Sequence, residues 1–158
     1  LFRVEGPYYT FRLENLEVFV VYSEHFSQAQ RRWLEAALKA SKAPWKIVAL
    51  HRPLYSSGLH GGARSLRQSI EPLLIQYRVP LVLAGHEHSY ERLEARGIVH
   101  IVSGGGGAWL RGFLSVRPQS KVRRQSPNYL TLEASAERLL ITAYNEKNEM
   151  IDRVELKK

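Results

Sequence analysis

The sequence predicts an α/β domain with a largely buried sheet, followed by an antiparallel meander. Three observations predict it. Short apolar runs rich in β-branched residues alternate with segments of helical period over the first two thirds of the chain. Two of those runs lead within a residue or two into histidine. The last third switches to strands of alternating character joined by short polar turns. Alternation of strand and helix is the pattern of a sheet with helical crossovers, whereas consecutive short strands favour a meander.

The first buried strand is Glu17-Val18-Phe19-Val20-Val21-Tyr22, a run too short for a helix. Ser27 followed by Gln30 has the form of a capping box. Beyond it Trp33, Leu34, Ala37 and Leu38 recur at helical spacing, which predicts an amphipathic helix over 28–41, closed by Pro44. Lys46-Ile47-Val48-Ala49-Leu50 is the second buried strand and runs into His51-Arg52-Pro53. A polar, glycine-rich loop is expected over 56–63. A second helix over 65–77 carries Leu66, Ile70, Leu73, Leu74 and Tyr77 on one face, with a kink or late restart expected at Pro72. Pro80-Leu81-Val82-Leu83-Ala84 and Ile98-Val99-His100-Ile101-Val102 are the third and fourth strands. The first of these ends in Gly85-His86-Glu87-His88, the second in Ser103 and four glycines, 104–107. Tyr129-Leu130-Thr131-Leu132-Glu133, then 139–144 and 150–156, form the meander, packed on the same domain.

A chain of 158 residues is long enough for one domain with a real core. Its hydrophobic fraction of 44% and charged fraction of 24% are ordinary for a globular protein. No apolar run approaches the roughly 20 residues that span a bilayer, so no membrane partner is expected. Leu1-Phe2-Arg3-Val4 lacks an initiator Met and a signal pattern, and is expected to be the interior of a longer sequence.

Cysteine is absent, which excludes disulfides and thiolate metal sites. A transition metal would need His, carboxylate, amide or Tyr donors. The net charge of +8 favours anionic partners such as phosphate esters or nucleic acid. The basic residues are scattered, however, except over 117–124, a stretch expected to be a loop. Aromatic residues do not interleave with it, so a nucleic-acid partner is disfavoured. The chain holds a single aspartate, Asp152.

The chemistry sits at the strand ends. His51 follows one buried strand, and His86 and His88 follow another after Gly85. Ligands gather outside the carboxyl ends of strands in open α/β sheets, so the three imidazoles are expected to converge. Gly85 is expected to permit a sharp turn that lets His86 and His88 face two adjacent ions. The competing reading makes all three turn or core histidines bonded to backbone.

Gly85-His86-Glu87-His88-Ser89-Tyr90-Glu91-Arg92 resembles the GHxHxYER stretch of purple acid phosphatases, within the calcineurin-like metallophosphoesterases. Val48-Ala49-Leu50-His51 with Pro53, Tyr55 and Ser56 resembles their VxxH-x-P-x-Y-S stretch. Ile101-Val102-Ser103 with the four glycines resembles the Gly-rich segment that follows, and Tyr8-Tyr9-Thr10-Phe11 and Trp33 fit the region upstream. The resemblance implies part of an α/β/β/α sandwich. It implies His51 and His86 on one metal and His88 on another, in a dinuclear centre of Fe with Zn, Mn or Fe. It implies His60 as a catalytic and substrate-binding residue that contacts phosphate or aids the leaving group, and Tyr55 as a second substrate-side residue. His60 as a plain exposed loop residue stands beside that reading with equal weight.

The implied substrate is a phosphate ester, more specifically a monoester, hydrolysed between two ions. The resemblance leans towards a secreted or periplasmic setting. It also implies Asp-x-His or Asp-x-Gly, Gly-Asp-x-x-Asp or Gly-Asp-x-x-Tyr, and Gly-Asn-His segments, and none occurs here. Residues 1–158 are therefore expected to be the C-terminal portion of one domain. The upstream half, or a second chain, is expected as its partner. A catalytically inactive fragment or interaction domain is the alternative. His25 and His100 are expected to be structural or surface residues. Glu91 and Arg92 are expected to pair with each other beneath the His86–His88 turn. The four glycines are expected to be a strand-to-loop connection rather than a phosphate cradle.

Overall fold

In the computed structural model, residues 6–158 are described; the tetrapeptide Leu1-Phe2-Arg3-Val4 lies outside them. β1 (Tyr9–Leu13) and β2 (Leu16–Val21) pair antiparallel across a turn in which Glu14 takes a φ of 47°. α1 (Gln28–Ala40) follows, then β3 (Trp45–Leu50), α2 (Arg64–Gln76) and β4 (Leu81–Ala84). β5 (Tyr90–Ala95), β6 (Ile98–Ser103) and β7 (Ser120–Arg124) complete a seven-stranded sheet of order β1-β2-β3-β4-β6-β5-β7. β8 (Tyr129–Ala134), β9 (Arg138–Tyr144) and β10 (Met150–Lys157) form a separate antiparallel sheet.

Strand alternation sorts the core into two layers. On β3, Val48 and Leu50 join a cluster with Leu34, Leu38, Ile70 and Leu74 of the two helices. Trp45 and Ile47 point the other way, into a cluster with Leu139, Ile141 and Ala143 of β9. Leu81 and Val82 of β4 divide in the same manner. The described residues thus stack as helices, mixed sheet and meander, three layers of the expected sandwich. A residue period of two is what lets one strand serve both cores.

Several local expectations are corrected. Residues 120–124, expected as loop, are the edge strand β7 on β5. β1 and β5 are further strands that periodicity did not single out. α2 runs unbroken through Pro72, which sits on its exposed face, where a carbonyl freed of its partner meets water. Only half of the capping box forms. Ser27 Oγ accepts from the Gln30 amide at 3.1 Å, but the buried Gln30 side chain instead bonds Tyr22 and the His25 carbonyl. Glu91 and Arg92 do not pair. Glu91 accepts from Ser56 Oγ, the Ser57 amide and Ser120 Oγ, while Arg92 bonds Asp152 and Glu94.

Candidate metal centre

The parallel register of β3 and β4 places Leu50 opposite Ala84. The chain continues from both strands at the same edge, and the Gly85 amide donates to the His51 carbonyl at 3.1 Å. The sharp turn falls one residue later than expected. Gly85 has no positive φ, whereas His86 stands at φ 70°, in the left-handed region. That conformation is uncommon for a residue with a Cβ and costs on the order of 1 kcal/mol. It directs the His86 ring towards His51.

His86 Nδ1 and His51 Nε2 lie 3.1 Å apart, with the rings edge to face. Two ligands of one ion at about 2.0–2.1 Å each have nitrogens separated by roughly this distance, so the pair fits a shared metal. The His60 ring packs on His86 with centroids 4.6 Å apart. His86 is held below the usual imidazole pKa, chiefly by burial and then by His51, His60 and Arg52, with Glu87 opposing. A neutral imidazole is the form that binds metal.

His88 points elsewhere. Its Nδ1 sits 2.9 Å from the Trp109 carbonyl, an arrangement in which Nδ1–H donates and Nε2 stays free as a donor to a metal. Trp109 itself is 93% exposed. Arg111 donates its amide to the His88 carbonyl and brings its guanidinium within 3.4 Å of His60. Sequence reasoning did not single out Trp109 or Arg111, because neither belongs to a recognisable spacing.

Glu87 lies between the two histidines, is buried, and turns beneath the loop 58–60. Its Oε1 accepts the His60 amide at 2.6 Å and stands 3.4 Å from His60 Nδ1, while Oε2 has no partner among the described residues. A Cβ at Gly58 would come within 2.5 Å of Glu87 Cδ, and one at Gly104 would overlap the Glu87 carbonyl. Gly104 therefore serves close packing of β6 over the His86–His88 turn. Gly106 and Gly107 face open space.

Tyr55 is held by Glu71, Arg67 and His100. Its hydroxyl donates to Glu71 at 2.5 Å, its ring carries the Arg67 guanidinium, and its edge meets His100. His100 is buried with neither ring nitrogen bonded among the described residues, and burial pushes its pKa down to about 4. His25 is exposed. Asp152 is far from any bridging role. It accepts from the Tyr90 hydroxyl and Arg92 Nε at 2.7 Å each, tying β10 to β5. Among the described residues no group of three or more His, Cys, Asp or Glu side chains is arranged to hold an ion. His51 and His86 bring two ring nitrogens together, and His88 presents a third that is oriented separately.

A family profile described as Calcineurin-like phosphoesterase matches residues 1–90, more than half of the chain. The chain belongs to the calcineurin-like phosphoesterase family. Within that family it is similar to rat tartrate-resistant acid phosphatase type 5, 36% identical over 61% of this chain and 29% of the relative. It is 34% identical to human acid phosphatase type 7 over 72% of this chain and 35% of the relative. The purple acid phosphatase PPD1 from yellow lupin seeds superposes with a TM-score of 0.89 at 22% identity, over 95% of this chain and 32% of that one. This last likeness shows the purple acid phosphatase fold. The chain spans about a third of the length of these phosphatases.

Proposed function

We propose that the protein bearing this chain hydrolyses phosphoesters, phosphomonoesters in particular, at a dinuclear metal centre to which this chain brings the histidines. The carrying observation is the 3.1 Å approach of His51 Nε2 and His86 Nδ1 at the edge of adjacent parallel strands. His51 and His86 would hold one ion, and His88 a second through Nε2. Fe with Zn, Mn or Fe suits such imidazole donors. The ions, when bound, supply Lewis acidity and an activated water.

The chain's own residues do the rest. Glu87 anchors the loop that carries His60. His60, packed on His86, contacts the phosphoryl group and, when protonated, gives its proton to the leaving oxygen. Arg111 beside His60 adds positive charge where the phosphate would sit. Tyr55 braces the loop from behind through Glu71 and Arg67. Carboxylate and amide donors would have to come from outside residues 1–158. Carboxylates there would offset the repulsion between two close cations.

A second reading makes the chain an interaction domain without turnover, and it is supported by the absence of a three-donor group among the described residues. Hydrolysis of p-nitrophenyl phosphate by the intact protein separates the two. The hydrolase reading expects turnover that a chelator abolishes and that His88→Ala lowers by about 100-fold or more. Absence of turnover in the metal-loaded protein supports the interaction domain.

A further inference from the structure

Arg64, Arg67 and Arg117 line one cavity of about 110 Å³ together with Tyr55, Ser56 and Gly62. We propose that this cavity is a binding site for a single small oxyanion, inorganic phosphate or sulfate.

The charge balance of the lining carries the inference. Three of the six lining residues are arginines, and no carboxylate is among them. Arg67 lies over the Tyr55 ring at 4.4 Å and donates weakly to the Leu54 carbonyl. Arg117 Nε donates to the Ser56 carbonyl at 3.2 Å. The Arg64 side chain has no partner among the described residues. The two nearby carboxylates are committed elsewhere. Glu71 accepts from the Tyr55 hydroxyl, and Glu91 from Ser56, Ser57 and Ser120. Three cations around one small space repel each other unless an anion joins them, and guanidinium forks match the lone pairs of phosphate or sulfate. The N-cap of α2, Ala63, offers no capping side chain to the amides of the helix's first turn.

Size selects the ligand. Pockets for organic molecules run from about 300 Å³ upwards, so 110 Å³ suits an ion with a few waters. No histidine lines the cavity, so binding there does not depend on the phosphoesterase reading.

The test is calorimetric titration of the chelator-treated intact protein with inorganic phosphate at constant ionic strength. The structure predicts saturable one-to-one binding that persists in His86→Ala and weakens at least tenfold in Arg64→Ala. The Arg64 side chain makes no hydrogen bond or ion pair among the described residues, so this variant should fold normally. Sulfate is expected to compete, and phosphoserine to bind more weakly than the free ion. Binding lost in His86→Ala but retained in Arg64→Ala overturns the site. So does failure to saturate by about 10 mM phosphate, tenfold above a millimolar Kd. Tighter binding of phosphoserine overturns the assignment to a free ion.

Discussion

Glu87 Oε1 accepts the backbone amide of His60 at 2.6 Å, across 27 residues of sequence. One buried carboxylate thus joins the turn that carries His86 and His88 to the loop that carries the proposed proton donor. Replacing Glu87 with Ala should lower kcat at least tenfold while leaving bound metal unchanged, since the loop loses a charge-assisted hydrogen bond of about 1.5–3 kcal/mol. Glu87→Gln keeps an acceptor for the amide and should retain most of the activity. Steady-state kinetics with metal analysis on both variants checks this. Metal lost in parallel with activity would place Glu87 in ion binding instead.

The Gly104 backbone packs against the Glu87 carbonyl with no room for a Cβ. Gly104→Ala should cost about 1–3 kcal/mol, the usual range for overpacking. Gly106→Ala meets nothing within 4 Å and should be nearly neutral. Urea denaturation of the pair reads the difference.

His100 is buried on the helix side of the sheet beside Tyr55, with both ring nitrogens unbonded among the described residues. Its folded pKa of about 4 lies below the unfolded value of 6.5, so the unfolded chain binds the proton first. Stability from this group is complete above pH 6.5 and lost as pH falls towards 4, by about 3 kcal/mol in total. His100→Leu should therefore flatten the acid limb of the stability profile. Thermal melts between pH 4 and 7 test it, and an unchanged slope would remove His100 as the cause.

Asp152 is kept below the usual carboxylate pKa because hydrogen bonds from Arg92 and Tyr90 outweigh the opposing effect of burial. Asp152→Ala should destabilise the fold by about 2–3 kcal/mol, less than a fully buried pair because Arg92 retains Glu94. Metal content should not change. A loss of metal in a variant that still folds would contradict the structural role given to this aspartate.

The sequence made the helix–strand alternation legible wherever burial was one-sided or complete, as in β2, β3, β4 and β6. It concealed β5 because Glu91 is buried there, satisfied by serines 29 to 35 residues distant, so the strand reads as charged. It concealed β7 because an edge strand exposes Lys121 and Arg124. The convergence of His51 and His86 followed from strand ends alone. The turn that achieves it did not, since a glycine was the natural candidate and His86 takes the left-handed φ itself. The Glu87–His60 bond and the arginine cavity depend on loop geometry, which no spacing encodes.

We propose that His51 and His86 share one ion of a dinuclear centre. The most direct measurement is the metal-to-protein ratio of the intact protein and its His86→Ala variant by mass spectrometry of the metals. Close to two ions per protein are expected, with the loss of one in the variant and the fold intact by circular dichroism. An unchanged ratio in His86→Ala would contradict it.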